Sequence, residues 1–311
     1  MSLPFLQSYI GLSNGLNTLN ATGDTGATRG VFGGGDTGSY TNTMDYITIA
    51  TTGNATDFGD LTVARGYLGA VSSTTRGVFG GGYTGSYSNT MDYITIATAG
   101  NAIDFGDLTV SRHSVAGVNS STRGVFGGGY FAGTKNEMDY ITIATTGNAT
   151  DFGDLTVDRY ALSALNSNTR GVFGGGIDPG SNSNVMDYIT IATAGNAIDF
   201  GDLTVSRHSV AGVNSSTRGV FGGGDTGANS NVMDYITIAT TGNAIDFGDL
   251  TVSRHYLAGV NSSTRGVFGG GYTGSYSNTM DYITIATLGN AIDFGDLTVA
   301  RGYLSGVQNG L

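Results

Sequence analysis

One eight-residue string, TRGVFGGG, occurs six times, with its arginine at Arg29, Arg76, Arg123, Arg170, Arg218 and Arg265. The intervals are 47, 47, 47, 48 and 47 residues. A repeat of that length makes each unit one supersecondary element that buries its apolar face only against its neighbours. Within each unit MDYITIAT starts 15 or 16 residues after the arginine. It is followed by G-N-A-(T/I)-D-F-G-D-L-T-V and then by a segment such as Arg65-Gly-Tyr-Leu-Gly-Ala-Val. These segments are short, rich in Val, Ile, Tyr, Phe and Thr, and bounded by Gly, Asn or Ser, and none has a helical period. Four strands in a unit of this length predict an all-β chain of β-propeller blades. In the second unit the pattern places strand A at 66–71, B at 76–80, C at 91–98 and D at 102–110. The one extra residue falls in Ile177-Asp178-Pro179-Gly180, a turn sequence that absorbs an insertion cheaply.

The first unit opens on strand B, because residues 19–27 lack the A pattern, and the last unit stops after an A-type segment at 301–307. The expectation is a closed ring of six four-stranded antiparallel blades, the first blade completed by the C-terminal A strand. Residues 1–24 form an extension outside the propeller of residues 25–311. Pro4, Phe5, Leu6, Tyr9, Ile10 and Leu12 make that extension apolar enough to cover a blade edge or to dock the ring onto a larger assembly.

Composition narrows the chemistry. A net charge of −11 argues against a nucleic-acid backbone as partner. The absence of cysteine excludes a disulfide framework, a thiol nucleophile and cysteine-ligated zinc. No apolar run approaches the ~18 residues of a membrane span, so membrane insertion is not expected. MSLPFLQSYIGLSNGL does not have the form of a standard secretory signal.

The VFGGG string resembles the hydrophobic-then-glycine end of the second strand in kelch-type propeller repeats. Arg65, Arg112 and their equivalents resemble the arginine that closes that motif. The chain departs from the kelch pattern in having no tryptophan, with Phe58 and Phe105 where one often stands. The string YITIATTGNATDFGDLT also resembles tandem segments in virion structural and tail proteins of marine, particularly cyanobacterial, phages. This likeness covers roughly 27–307 and implies a particle component, with no catalytic residues attached.

Each unit carries two framework arginines, of the Arg29 and Arg65 types, and three aspartates, of the Asp45, Asp57 and Asp60 types. These are expected to pair within or between blades and to hold strand ends. Two other readings compete. Asp57-Phe-Gly-Asp60 invites a calcium site but lacks the oxygen spacing of a calcium loop. His113, His208 and His255 follow the junction arginine in three blades only, an incomplete ring for a metal or anion. The GGG runs lack the Lys-Ser/Thr of a phosphate loop and read as strand ends with unusual backbone angles. Near-identical units offer the same groups six times over, whereas catalysis needs one asymmetric constellation, so no catalytic residue, metal site or cofactor is assigned.

Variation concentrates in the B–C connections: 36–43, 83–90, 130–137, 177–185, 225–232 and 272–279. In a four-stranded blade these loops share a face with the D–A junctions. The expected binding face therefore joins Tyr83, Tyr87, Tyr130, Phe131, Tyr272 and Tyr276 to the junction arginines Arg65, Arg112 and Arg159. The alternative is that surface loops drift because nothing constrains them. Together with the virion resemblance, these residues imply a non-enzymatic structural or adhesion module on a phage tail or particle surface, otherwise extracellular. Its expected partners are other virion proteins, through the N-terminal segment, and a host surface glycan. The rival readings are a free lectin-like propeller and, less favoured, an enzyme using the central channel.

Overall fold

The computed structural model describes residues 28–310. The proposed anchor, residues 1–24, lies outside them. The described residues contain no helix, and their main sheets are six antiparallel four-stranded blades. In the second blade strand A is Gly69–Ser72, B Arg76–Gly80, C Thr90–Thr95 and D Ile103–Asp107. Strand A of the first blade is Ser305–Gln308, which pairs antiparallel with Arg29–Gly33 and sets Val307 opposite Val31. The ring is closed by the two ends of the repeat array. The extra residue of the fourth unit forms a small hairpin, Ile177–Asp178 against Ser181–Asn182, with Pro179-Gly180 at its tip.

Why the repeat closes is visible at the GGG run. Phe79 of the second blade lies against Gly33 of the first, where a Cβ would come within 2.8 Å of the ring. The same contact passes from blade to blade until Phe32 covers Gly269. Gly34 follows with φ +65° and lies under the carbonyl of Arg65, a conformation and a closeness that both demand glycine. Each seam between blades then fills with apolar side chains. Val31, Met44, Phe58 and Leu61 pack against Phe79, Ile94, Ile96 and Ala102, and all of them are buried. At roughly 1.5–3 kcal/mol for each large side chain buried, these seams are the main favourable term in the fold.

The G-N-A segment has a distinct task. Gly100 and Ala102 donate their N–H groups to Phe58 O and Asp60 O of the preceding blade, and Asn101 Oδ1 accepts from Asp60 N. Each blade's C–D loop thereby covers the outer strand edge of the blade before it, which would otherwise be open to edge-to-edge pairing. The last link runs from Gly53 and Ala55 to Phe294 and Asp296.

Among the described residues, arginines of the Arg29 type do not pair with aspartate. The Arg29 guanidinium sits 4.2 Å above the Tyr46 ring and donates to Ile96 O and Ala97 O of the next blade. Asp57 is exposed, and Asp60 is engaged through its backbone, so neither serves as a framework ion-pair partner. Planar guanidinium suits a contact that combines ring stacking with two carbonyl acceptors.

Candidate recognition face

The B–C loops and D–A junctions do share one face, but the junction arginines are not on it. Arg65, Arg112 and Arg159 are fully buried and ion-paired with Asp92, Asp139 and Asp187 of strand C, at 2.9, 2.8 and 2.5 Å. Their expected role as contact residues is therefore corrected to a framework one. Arg65 also donates to Phe79 O, and the Thr62 hydroxyl at the end of the preceding blade donates to Asp92. Each aspartate thus joins two blades, and Thr298 and Arg301 close the series on Asp45. Burial holds the Arg65 pKa below its ordinary value although Asp92 beside it pulls the other way. Desolvation is the larger of the forces on Arg65, and the aspartate offsets part of that cost.

What occupies the face is aromatic. Tyr83, Tyr87, Tyr130 and Phe131 form one cluster. Tyr87 lies 5.6 Å from Tyr83 and 5.3 Å from Phe131, and His113 stacks on both Tyr87 and Tyr130. Phe131 is 40% exposed, the most exposed large aromatic of the face. Tyr272 and Tyr276 form a second cluster with His255. Tyr40 packs against Tyr83 at 5.8 Å and belongs to the first cluster. It is absent from the expected contacts although it holds the repeat position of Tyr87 and Tyr276, a signal the sequence does carry.

The two clusters meet over the ring axis, at residues that sequence reasoning missed although they vary from unit to unit. Tyr67, Ser114, Ala161, Ser209, Tyr256 and Tyr303 stand two places after each junction arginine. All six have positive φ, from 54° to 61°. Their backbones form a closed circle: Tyr67 N–H donates to Tyr303 O, Tyr303 to Tyr256, Tyr256 to Ser209, Ser209 to Ala161, Ala161 to Ser114, and Ser114 back to Tyr67. The six bonds measure 2.6 to 3.1 Å. The left-handed backbone costs a residue with a Cβ roughly 1 kcal/mol or more, and the hydrogen-bonded circle holds it in place.

On one side of the circle three side chains stack. Tyr303 lies 4.0 Å from Tyr67 and 3.7 Å from Tyr256 between ring centroids. On the other side stand Ser114, Ala161 and Ser209, which leave room. A cavity of about 250 Å³ opens there, lined by Tyr40, Tyr67, Tyr83, His113, Ser114, Tyr160, Ala161 and Tyr256. Below it the channel between the A strands holds a further cavity of about 140 Å³, bordered by all six residues of the circle.

The histidines do not converge. His113 sits among tyrosines with Nδ1 2.8 Å from Ser114 Oγ. His208 and His255 face Asn182 and Asn229, and their rings are 6.4 Å apart. Among the described residues no three His, Cys, Asp or Glu side chains are grouped to hold a metal ion. Burial lowers the pKa of all three histidines, His113 to about 4. Burial also raises Tyr67 and Tyr276, each to about 12. At neutral pH the three imidazoles are therefore neutral and the Tyr67 and Tyr276 phenols keep their protons.

The histidine shift has a measurable sign. The unfolded chain takes up the His113 proton near pH 6.5 and the folded chain only near 4, so stability is full above 6.5 and falls as pH drops through that window. Tyrosine stands at the equivalent position 160, so His113→Tyr is a compatible replacement. Between pH 7 and pH 4.5 the variant should gain about 1–2 kcal/mol on the parent in urea unfolding, after allowance for the ring's partial exposure.

No protein-family model and no curated protein sequence matches this chain. Among solved structures, that titled "Structure of YjhT" is similar, with a TM-score of 0.67 and 8% identity over 79% of this chain and 88% of the other. At that identity the likeness establishes the six-bladed fold alone.

Proposed function

We propose that this propeller is a non-enzymatic, kelch-like recognition module whose loop face is the contact surface, carried on the tail or surface of a phage particle. One observation carries the reading. The loops that vary most between blades hold a connected aromatic surface, with Phe131 exposed at its rim, on a scaffold whose other positions are nearly uniform. Partly buried tyrosines offer large rigid contact area at low entropic cost, and the neighbouring Asn, Ser and Thr supply adaptable hydrogen bonds. The resemblance of the tandem string to virion segments supports the particle setting, with residues 1–24 as the anchor. A free glycan-binding propeller is the second reading, favoured by the axial cavity.

The test compares the whole chain with a version starting at Gly23, each against host envelope polysaccharide and against particles lacking the protein. A recognition module on a particle requires both forms to bind the polysaccharide and only the whole chain to join the particle. Polysaccharide binding by neither form would remove the recognition reading. If both forms bind polysaccharide and neither joins the particle, the free glycan-binding propeller is the better account.

A further inference from the structure

We propose that the axial cavity is a subsite for one neutral sugar ring, with the open half of the backbone circle as its floor; this rests on the loop-face reading above. Three observations lead there. The first is backbone strain kept where it is avoidable. Apart from the circle and Ala132, every positive-φ residue in the described structure is glycine. A chain with 54 glycines has nonetheless placed Tyr, Ser or Ala at all six circle positions. Glycine would sit there at no steric cost, so the side chains are retained for what they present over the axis.

The second observation is broken symmetry. The units are nearly identical, but the circle reads Tyr, Ser, Ala, Ser, Tyr, Tyr. Three stacked rings fill one half and leave the cavity over the other. A single small ligand needs one asymmetric site, and six like scaffolds provide one only by such a departure. At about 250 Å³ the cavity is smaller than the roughly 300–1,000 Å³ that takes a drug-sized ligand, a size fit for a single ring.

The third observation is chemical. The walls are the rings of Tyr40, Tyr67, Tyr83, Tyr160 and Tyr256 with His113, and no charged side chain lines the cavity. Every junction arginine is buried against its own aspartate, so none of the six is free to meet a phosphate or carboxylate. Aromatic walls take the C–H faces of a pyranose, while phenol, serine and imidazole groups meet its hydroxyls.

The test uses the full chain with methyl glycosides of glucose, galactose, mannose and N-acetylglucosamine. Glucuronic acid and N-acetyltyrosine amide serve as the anionic and peptide-like probes, and ligand-observed NMR reads binding. The blocking variant is Ala161→Tyr, which adds a ring to the open half in a backbone conformation that already holds tyrosine at 67, 256 and 303. At least one neutral glycoside should bind in preference to both other probes, and Ala161→Tyr should weaken it tenfold or more while Ile103→Ala, at an exposed position of strand D, changes it less than twofold. The proposal is overturned if no neutral glycoside binds, if glucuronic acid or the tyrosine amide binds better, or if the blocked variant binds like the parent. Polysaccharide binding separates the two levels. If it survives Ala161→Tyr but is lost in a Tyr87→Ala/Phe131→Ala/Tyr276→Ala variant, the cavity proposal fails and the loop-face reading stands. If neither variant changes it, both fail.

Discussion

Removal of residues 305–311 should open the ring and make the propeller self-associate beyond whatever state the parent adopts. The deletion takes away the strand Ser305–Gln308 and leaves the edge of Arg29–Gly33 unpaired. It also withdraws Val307, which is wholly buried among Val31, Met44 and Phe79. At ~1 kcal/mol for each of about three or four ladder hydrogen bonds and ~2 kcal/mol for the valine, the gross loss is about 5 kcal/mol before the tail's conformational entropy is returned. Total stabilities of ~5–15 kcal/mol make that a large fraction. Urea unfolding should shift to a much lower midpoint, and light scattering should detect dimers or larger species as exposed edges pair. An unchanged midpoint with the same mass as the parent would mean that the ring does not depend on this strand.

The second large effect belongs to the buried ion pairs. Asp92→Ala leaves the Arg65 guanidinium desolvated without its carboxylate and removes the acceptor of Thr62, which ties the first blade to the second. Removing one partner of a buried pair costs about 3–5 kcal/mol, whereas replacing both by apolar residues of similar volume is often close to neutral. Asp92→Leu combined with Arg65→Met should therefore be much less destabilised than Asp92→Ala. If the double variant is the worse of the two, the pair makes a net favourable contribution and desolvation is not its dominant force. Because the unit recurs in every blade, the same contrast at Asp234 with Arg207 checks it independently.

These two effects also mark how far the sequence could be read. Blade number, closure and the identity of the completing strand follow from the period and from the A-type segment at 301–307. Strand limits do not follow as well. The A strand of the second blade begins at Gly69 where the pattern placed it at residue 66, because the preceding residues turn into the backbone circle. Nothing announces that turn, since a left-handed residue is signalled by glycine and at this position it is Tyr67. Strand C stops at Thr95 because the chain turns there, Thr95 O accepting from Thr98 N–H. Strand D begins at Ile103 because Ala102 N–H is committed to the neighbouring blade.

The site shows the same division. That the loop tyrosines share one face was legible, because a four-stranded blade puts all its B–C connections at the same end, and the structure does cluster them there. The junction arginines were misplaced because sequence position locates them near the loop face but not their depth. Only the register of strand C, which sets Asp92 beneath Arg65, decides that. Tyr67, Tyr256 and Tyr303 vary from their equivalents in the other units, but that they meet was not legible, because it depends on six separate turns converging on one axis.

The central claim is that recognition belongs to the loop face, and hydrogen exchange with mass spectrometry tests it most directly. The full chain would be exchanged with and without saturating host envelope polysaccharide. Protection is predicted in the B–C loops at 36–43, 83–90, 130–137 and 272–279 and around the axial residues, with the C–D loops of the opposite face unchanged. Protection confined to those C–D loops, or to no part of the propeller, would contradict it.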